Sequence, residues 1–235
     1  MKMIGLIGGM SWQSTATYYR LLNTLAAERL GGLHSAELLV RSVDFADLEA
    51  AMSAGDWQMI RTRLADEAAM LERAGVGCVL LCTNSMHKVC DGIEAALDRA
   101  SFFHIADTLG TALRRDGICR VGLLGTRFTM VEPFYANHLA AGFSVATLTP
   151  TPSQIPVIDD IIFSELCHGV VRDDSRQAYL DIIDDLQRRG AEAIVLGCTE
   201  IEMLLKPGDH KLPFYDTTLI HARHAVDWAL RGTDI

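Results

Sequence analysis

The sequence predicts an α/β protein of two pseudo-symmetric lobes, each a mainly parallel sheet flanked by helices, with an active site in the cleft between them. Three observations predict it. Short apolar runs alternate with amphipathic ones along the chain, the pattern of buried strands covered by helices. One phrase occurs twice: Leu71-Glu72-Arg73-Ala74-Gly75 leads through an apolar run to Leu81-Cys82-Thr83-Asn84, and Leu186-Gln187-Arg188-Arg189-Gly190 leads to Gly197-Cys198-Thr199-Glu200. Laid over each other, Gly75 meets Gly190 and Thr83 meets Cys198; Gly5-Leu6-Ile7-Gly8 and Gly122-Leu123-Leu124-Gly125 echo in the same way. Two half-domains that each end a strand on a small polar residue suggest a site built between them, which suits chemistry that reaches one atom from two sides.

The elements follow in order. Met3 to Ile7 is a buried strand, and Gly8-Gly9-Met10-Ser11 a tight strand-to-helix turn. Ser14 to Leu30 is helical and stops at Gly31-Gly32. Ala36 to Ser42 is a strand, Trp57 to Arg73 a helix, Gly77 to Cys82 a buried strand and Ser85 to Leu97 a helix. Phe102 to Ile105 is a short strand, with Asp107 placed to cap the next helix. The second half repeats the scheme. Its strands are Arg120 to Leu124, Ser144 to Leu148, Ala193 to Leu196 and Pro213 to Tyr215. Its helices are Val131 to Ala141, Ile158 to Cys167, Ser175 to Arg189, Ile201 to Leu205 and Thr217 to Leu230, the last capped by Asp216. No Pro- or Ser-rich linker divides the chain, so two closely packed lobes are expected: residues 1–105 with 210–235, and residues 106–209.

Composition narrows the function. At 235 residues and 49% apolar, the chain builds a sizeable core and is not disordered. A net charge of −9 argues against nucleic acid and anionic membrane as partners. A small anionic substrate stays open, held by local donors. The six cysteines lie mostly in apolar runs, as reduced thiols of a cytoplasmic protein do. The N-terminus lacks the pattern of a signal peptide, and no apolar stretch is long enough to span a bilayer.

The two strand-end loops carry the chemistry. In parallel sheets ligands sit beyond the carboxyl ends of the strands. Thr83-Asn84-Ser85 and Cys198-Thr199-Glu200 each turn straight into a helix, whose first amides and dipole favour an anion. Asn84, Ser85 and Thr199 add side-chain donors, so a carboxylate is expected to be clamped from both lobes. A thiol at a helix N-terminus ionises more easily, which makes Cys198 a usable acid–base group. A lone Cys-Thr pair reads equally as a buried hydrophobe and an N-cap; the matching position of Thr83 favours the site. Cys82, one residue earlier on a strand, is expected to face the core.

Thr83-Asn84-Ser85-Met86-His87 and Gly197-Cys198-Thr199-Glu200 resemble the two signature motifs of the cofactor-independent aspartate/glutamate racemases. Ile7-Gly8-Gly9-Met10-Ser11-Trp12 and Pro213-Phe214-Tyr215-Asp216-Thr217-Thr218 are similar to that family's first turn and last strand, so the resemblance runs along essentially the whole chain. It is closest to the branch acting on L-aspartate and L-glutamate, in which threonine replaces the first catalytic cysteine. The resemblance implies a two-base mechanism without cofactor or metal, and a homodimer. Cys198 removes the Cα proton of the L-enantiomer, and Thr83, relaying from water or a neighbour, handles the other face poorly. Met10 and Ser11 are expected to reach the substrate from the first turn.

The other candidates weigh less. Cys78, Cys82, His87 and Cys90 match no common zinc spacing, so no metal is expected, and His87 caps or orients the first loop. Gly5 to Gly9 lacks the spacing of a dinucleotide loop. Glu200 binds the substrate ammonium or shapes the Cys198 loop, with dipole stabilisation as the plainer reading. Arg127 occupies the position in the second half that Met10 holds in the first, and suits a side-chain carboxylate. Relatives specific for aspartate place basic residues near positions matching Ser42 to Asp47 and Phe163 to Leu166; here neither stretch contains Lys or Arg. An acidic side chain is then held otherwise, or a neutral or longer amino acid is preferred. Two other functions share these features: a decarboxylase or cis–trans isomerase of small dicarboxylates, and an amino-acid-binding protein with impaired catalysis.

Overall fold

The computed structural model describes residues 1–231. The chain divides into two compact units, residues 1–105 with 221 onward, and residues 106–220. Each is built on a four-stranded parallel sheet.

In the first unit the strands are β1 (Ile4–Gly8), β2 (Leu38–Ser42), β3 (Cys78–Leu81) and β4 (Ser101–Phe102), in the order β2-β1-β3-β4. All pairs are parallel, with Gly8 opposite Ser42 and Ile7 opposite Leu81. The central strands β1 and β3 are buried along their length, as their unbroken apolar runs require. Helix α1 (Trp12–Leu30) buries Tyr18, Leu21, Leu22 and Leu25, at helical spacing. Its N-cap is Ser11, whose Oγ accepts from the Ser14 N–H. The turn before it is tight. Gly9 has φ +95°, and a Cβ there would lie 2.1 Å from the Val43 carbonyl oxygen.

Between β2 and β3 lie two helices, α2 (Phe45–Ala54) and α3 (Trp57–Arg73). Residues 43–56, for which no element is predicted above, are thus largely helical. Asp44 caps α2 by accepting from the Ala46 N–H, Gly55 ends it in the left-handed region, and Leu48, Ala51 and Met52 form its buried stripe. Glu67 of α3 is buried and receives Arg41 Nε at 2.5 Å and Arg63 at 3.0 Å.

The expected helix over Ser85 to Leu97 is a 3₁₀ turn (Ser85–Val89) followed by the short α4 (Cys90–Ala95). The cause is local. An α-helix would give the Thr83 carbonyl to the His87 N–H. Here the His87 ring takes that carbonyl, and the His87 N–H turns to the Asn84 carbonyl one residue nearer. The strand expected over Phe102 to Ile105 is Ser101–Phe102, because α5 (Ile105–Arg115) already begins at Ile105. Asp107 therefore sits in the first turn of α5 and faces His138, 2.6 Å away, rather than capping the helix.

The second unit repeats the topology with β5 (Arg120–Gly125), β6 (Ala146–Leu148), β7 (Ala193–Gly197) and β8 (Phe214–Asp216), ordered β6-β5-β7-β8 and again all parallel. Residues 210–220, assigned above to the first lobe, run with this unit because β8 pairs with β7. The short α6 (Arg127–Val131) precedes α7 (Pro133–Phe143), which starts at Pro133 because proline suits the first helical position. Ser144 then ends α7 in the left-handed region, so β6 begins two residues later than expected. Helices α8 (Ile155–Ser164) and α9 (Asp173–Arg188) flank the sheet. Ile158, Ile162, Tyr179, Ile183, Leu186 and Ile194 form its core. Each such side chain contributes ~1.5–3 kcal/mol through removal from water. The short α10 (Ile201–Leu204) follows β7, and α11 (Thr217–Ala229) is the last helix among the described residues, with Asp216 Oδ1 accepting from the Thr218 and Leu219 N–H groups as the sequence implies. No helix among the described residues is long and apolar enough to cross a membrane.

Candidate active site

Both loops singled out in the sequence leave the carboxyl ends of the central strands. In the first unit β1 and β3 are neighbours, so Met10 and Ser11 leave the sheet beside Thr83, Asn84 and Ser85. Met10, Thr83 and Asn84 are buried, while Ser11 and Ser85 are half-buried. The Thr83 hydroxyl lies 3.5 Å from Ser85 Oγ, and the Thr83 N–H donates to the Leu81 carbonyl. The carbonyl before Thr83, that of Cys82, accepts from Ser14 Oγ at 2.7 Å. The carbonyl of Thr83 itself accepts from the His87 ring at 2.8 Å. Cys82 is fully buried, as expected of the opposite strand face, and burial pushes its thiol far above the usual range.

In the second unit Gly125 of β5 stands opposite Gly197 of β7. A Cβ on Gly197 would lie 2.9 Å from the Leu124 carbonyl oxygen, so this approach demands glycine. Arg127 and Cys198 to Glu200 therefore leave adjacent strands at one end of the sheet. Arg127 is exposed; its N–H donates to Asp159 Oδ1 at 2.7 Å and its guanidinium lies 5.5 Å from the centre of the Phe128 ring. Thr199 and Glu200 are buried.

Cys198 Sγ lies 3.0 Å from Glu200 Oε2 and donates to it. This arrangement overturns the expected easy ionisation. Burial, then the Glu200 charge and the hydrogen bond to its carboxylate, push the Cys198 thiol well above its ordinary value; the Glu200 N–H acts the other way. The helix that was expected to help is a four-residue turn, α10, too short to sum a useful dipole. The same holds at Ser85, where the first loop enters a five-residue 3₁₀ turn. What the two loops offer a carboxylate is individual N–H and hydroxyl groups, not helix dipoles.

Two groups near Cys198 escaped the sequence reading. Cys167 lies in a 3₁₀ turn (Leu166–His168), where a helix was expected, and packs with Cys198 on one apolar cluster. Its thiol is pushed up to about 12 by burial and then by the Glu200 charge. Tyr179, buried in α9, is raised by burial and then by Cys198. A repeat-based search misses both, because neither belongs to the duplicated phrase. His87 offers no ring nitrogen to a metal: Nδ1 meets the Thr83 carbonyl and Nε2 accepts from the Ile105 N–H at 3.2 Å.

A thiol donating to a buried carboxylate beyond a parallel strand is an arrangement that can exchange a proton, and it stands here on an α/β fold with two four-stranded parallel sheets. The chain belongs to the Asp/Glu/hydantoin racemase family, whose model matches residues 7–225. It is 43% identical to a Yersinia pestis protein whose crystal structure is described as that of a candidate Asp/Glu racemase; the match covers 98% of this chain and 100% of that one, with a TM-score of 0.92. An aspartate racemase homologue from Pyrococcus horikoshii OT3 is 28% identical over 97% of this chain and 99% of its own, with a TM-score of 0.87. Glutamate racemase from Francisella tularensis subsp. tularensis SCHU S4, in complex with D-glutamate, shares the fold at 13% identity and a TM-score of 0.62, covering 99% of this chain and 84% of that one.

Proposed function

We propose that the chain is a cytoplasmic amino-acid racemase for aspartate- or glutamate-type substrates, independent of cofactor and metal, with Thr83 and Cys198 serving opposite faces of Cα. The observation that carries this reading is the 3.0 Å contact from Cys198 Sγ to the buried Glu200 carboxylate. It supplies what a high thiol pKa would otherwise deny. Glu200 takes the thiol proton, the thiolate removes the Cα proton from one face, and the Thr83 hydroxyl, resupplied from water, returns a proton to the other; Glu200 then gives its proton to the hydroxide that water leaves, which restores the starting state. Each proton has a donor and an acceptor, and no electron transfer is needed. Asn84, Ser85 and Thr199 hold the α-carboxylate, and Ser11 extends that set from the first turn. Arg127 is the basic group that suits the distal carboxylate.

The two bases are chemically unlike, so the enantiomers turn over unequally. Their free energies are equal in water, so any inequality in kcat is matched in KM. The test is incubation with L-aspartate and L-glutamate in deuterium oxide. We expect solvent deuterium at Cα, lost by at least about a thousandfold in Cys198→Ala, the scale of removing an essential acid–base group. Tight binding without exchange would make the chain a binding protein. Release of carbon dioxide would make it a decarboxylase.

A further inference from the structure

Thr83 is flanked by two backbone carbonyls, and each is held by a buried side chain. The Ser14 hydroxyl donates to the Cys82 carbonyl at 2.7 Å, and the His87 ring meets the Thr83 carbonyl at 2.8 Å. Ser14 and His87 are both 2% exposed, so neither bond competes with bulk water. Two peptide planes joined at one Cα fix that residue's φ and ψ, and with them the direction of its Cβ.

The state of the His87 ring follows from its partners. A carbonyl oxygen only accepts, so Nδ1 carries the proton. The Ile105 N–H only donates, so Nε2 is bare. The ring is therefore neutral, in the Nδ1–H tautomer. Its neighbours enforce this. His104 and His221 pack edge-on to it, with ring centres 4.7 and 6.1 Å away, and Phe102 lies at 5.7 Å. His221 has the opposite tautomer: Nε2 donates to the Phe103 carbonyl at 2.8 Å, and Nδ1 accepts from the Tyr18 hydroxyl at 2.8 Å. The segment Phe103 to Ile105 is thus gripped on both sides of His104, and this fixed segment holds the His87 ring.

We propose that Ser14 and His87 are positioning residues that clamp the two peptide planes around Thr83 and so aim its hydroxyl at the substrate. The proposal rests on the racemase reading for what the hydroxyl does, and on this unit alone for the clamp. Asparagine and glutamine separate positioning from plain structural support. His87→Asn puts an amide N–H near the Nδ1 place and keeps the donor to Thr83. His87→Gln puts an amide oxygen near the Nε2 place, accepting from Ile105, and loses that donor. Each variant forfeits one hydrogen bond, so urea should find them destabilised alike. We expect His87→Asn to keep most of the Cα-exchange kcat. His87→Gln and Ser14→Ala should lose about tenfold in kcat with KM within about twofold, the scale of one misdirected hydrogen bond. Equal kcat losses in both His87 variants, tracking stability, would overturn the proposal. Long-range proton–nitrogen spectra of ¹⁵N-histidine protein give a readout without activity: His87 must show a protonated Nδ1 and a bare Nε2, and the reverse would also overturn it. A wild-type protein with no exchange would sink the racemase reading, while the tautomer spectrum still decides the clamp.

Discussion

Lowering the pH from 7 to 5 should remove about 2 kcal/mol of stability through His221 alone. His221 is fully buried in α11, and burial, opposed by its bond to the Phe103 carbonyl, lowers its pKa from 6.5 to about 3. The folded chain therefore prefers the neutral ring. An unfolded chain takes up the proton near 6.5, so the contribution is complete above that pH and is lost as pH falls toward 3. At about 1.4 kcal/mol per unit, the loss between pH 7 and 5 comes to roughly 2 kcal/mol. The groups facing the ring confirm the direction. The Tyr18 hydroxyl donates to Nδ1 and would have to turn and accept if the ring were protonated there, and His87, His104 and His224 bring no negative charge. Carboxylates act in another window. Glu72, Glu192 and Asp116 are held below their ordinary values by hydrogen bonds, so their contributions fade only at lower pH. The assay is urea unfolding, read by tryptophan fluorescence, at pH 7 and pH 5. His221→Gln should shrink the difference by about 2 kcal/mol, leaving what His87 contributes. A His221→Gln protein with the wild-type pH dependence would refute the argument.

Glu200→Gln should act in two directions at once. Removing the charge lowers the Cys198 pKa, so alkylation by iodoacetamide at neutral pH speeds up, while Cα exchange slows because the thiol has lost its proton acceptor. Thr83→Cys should raise kcat for the enantiomer that Thr83 serves, measured by deuterium exchange from the D-amino acid; unchanged turnover would count against the division of labour. Glu67→Ala removes the shared partner of Arg41 and Arg63, whose guanidinium groups stay in reach of water, and should cost about 1 kcal/mol in urea unfolding.

The sheets were legible because parallel strands buried on both faces leave unbroken apolar runs; β1, β3, β5 and β7 fall where such runs stand in the sequence. The helices that escaped were short. The α2 signals were present, with Asp44 before it and Gly55 after it, but its ten residues, between a strand and a longer helix, drew no prediction. Where the expected helix over Ser85 to Leu97 broke, the cause was a side chain competing for a backbone carbonyl. Periodicity does not register such competition, since it counts apolar positions and not hydrogen-bond partners.

The site shows the same boundary more sharply. The duplicated phrase pointed to Thr83 and Cys198 because it records which residue stands at each strand end. It could not give the sign of the Cys198 shift. That sign depends first on burial, which the tertiary fold sets, and then on whether a helix dipole or a carboxylate prevails at the sulfur; the last two are both present in the same four letters, Gly197-Cys198-Thr199-Glu200. The dipole requires several aligned peptides, and the chain supplies one turn. The carboxylate requires only a side chain that folds back, and Glu200 does so to 3.0 Å. The shorter interaction wins, and it gives the thiol a proton acceptor in place of a lowered pKa. A cysteine tuned by a dipole would sit ionised and exposed to oxidation. In the proposed cycle one held by Glu200 stays protonated until a bound substrate brings its Cα–H to the sulfur and the carboxylate takes the thiol proton, so ionisation is coupled to occupancy of the site. That coupling has a direct consequence: substrate should accelerate exchange of the thiol proton, even as it shields Cys198 from alkylating reagents.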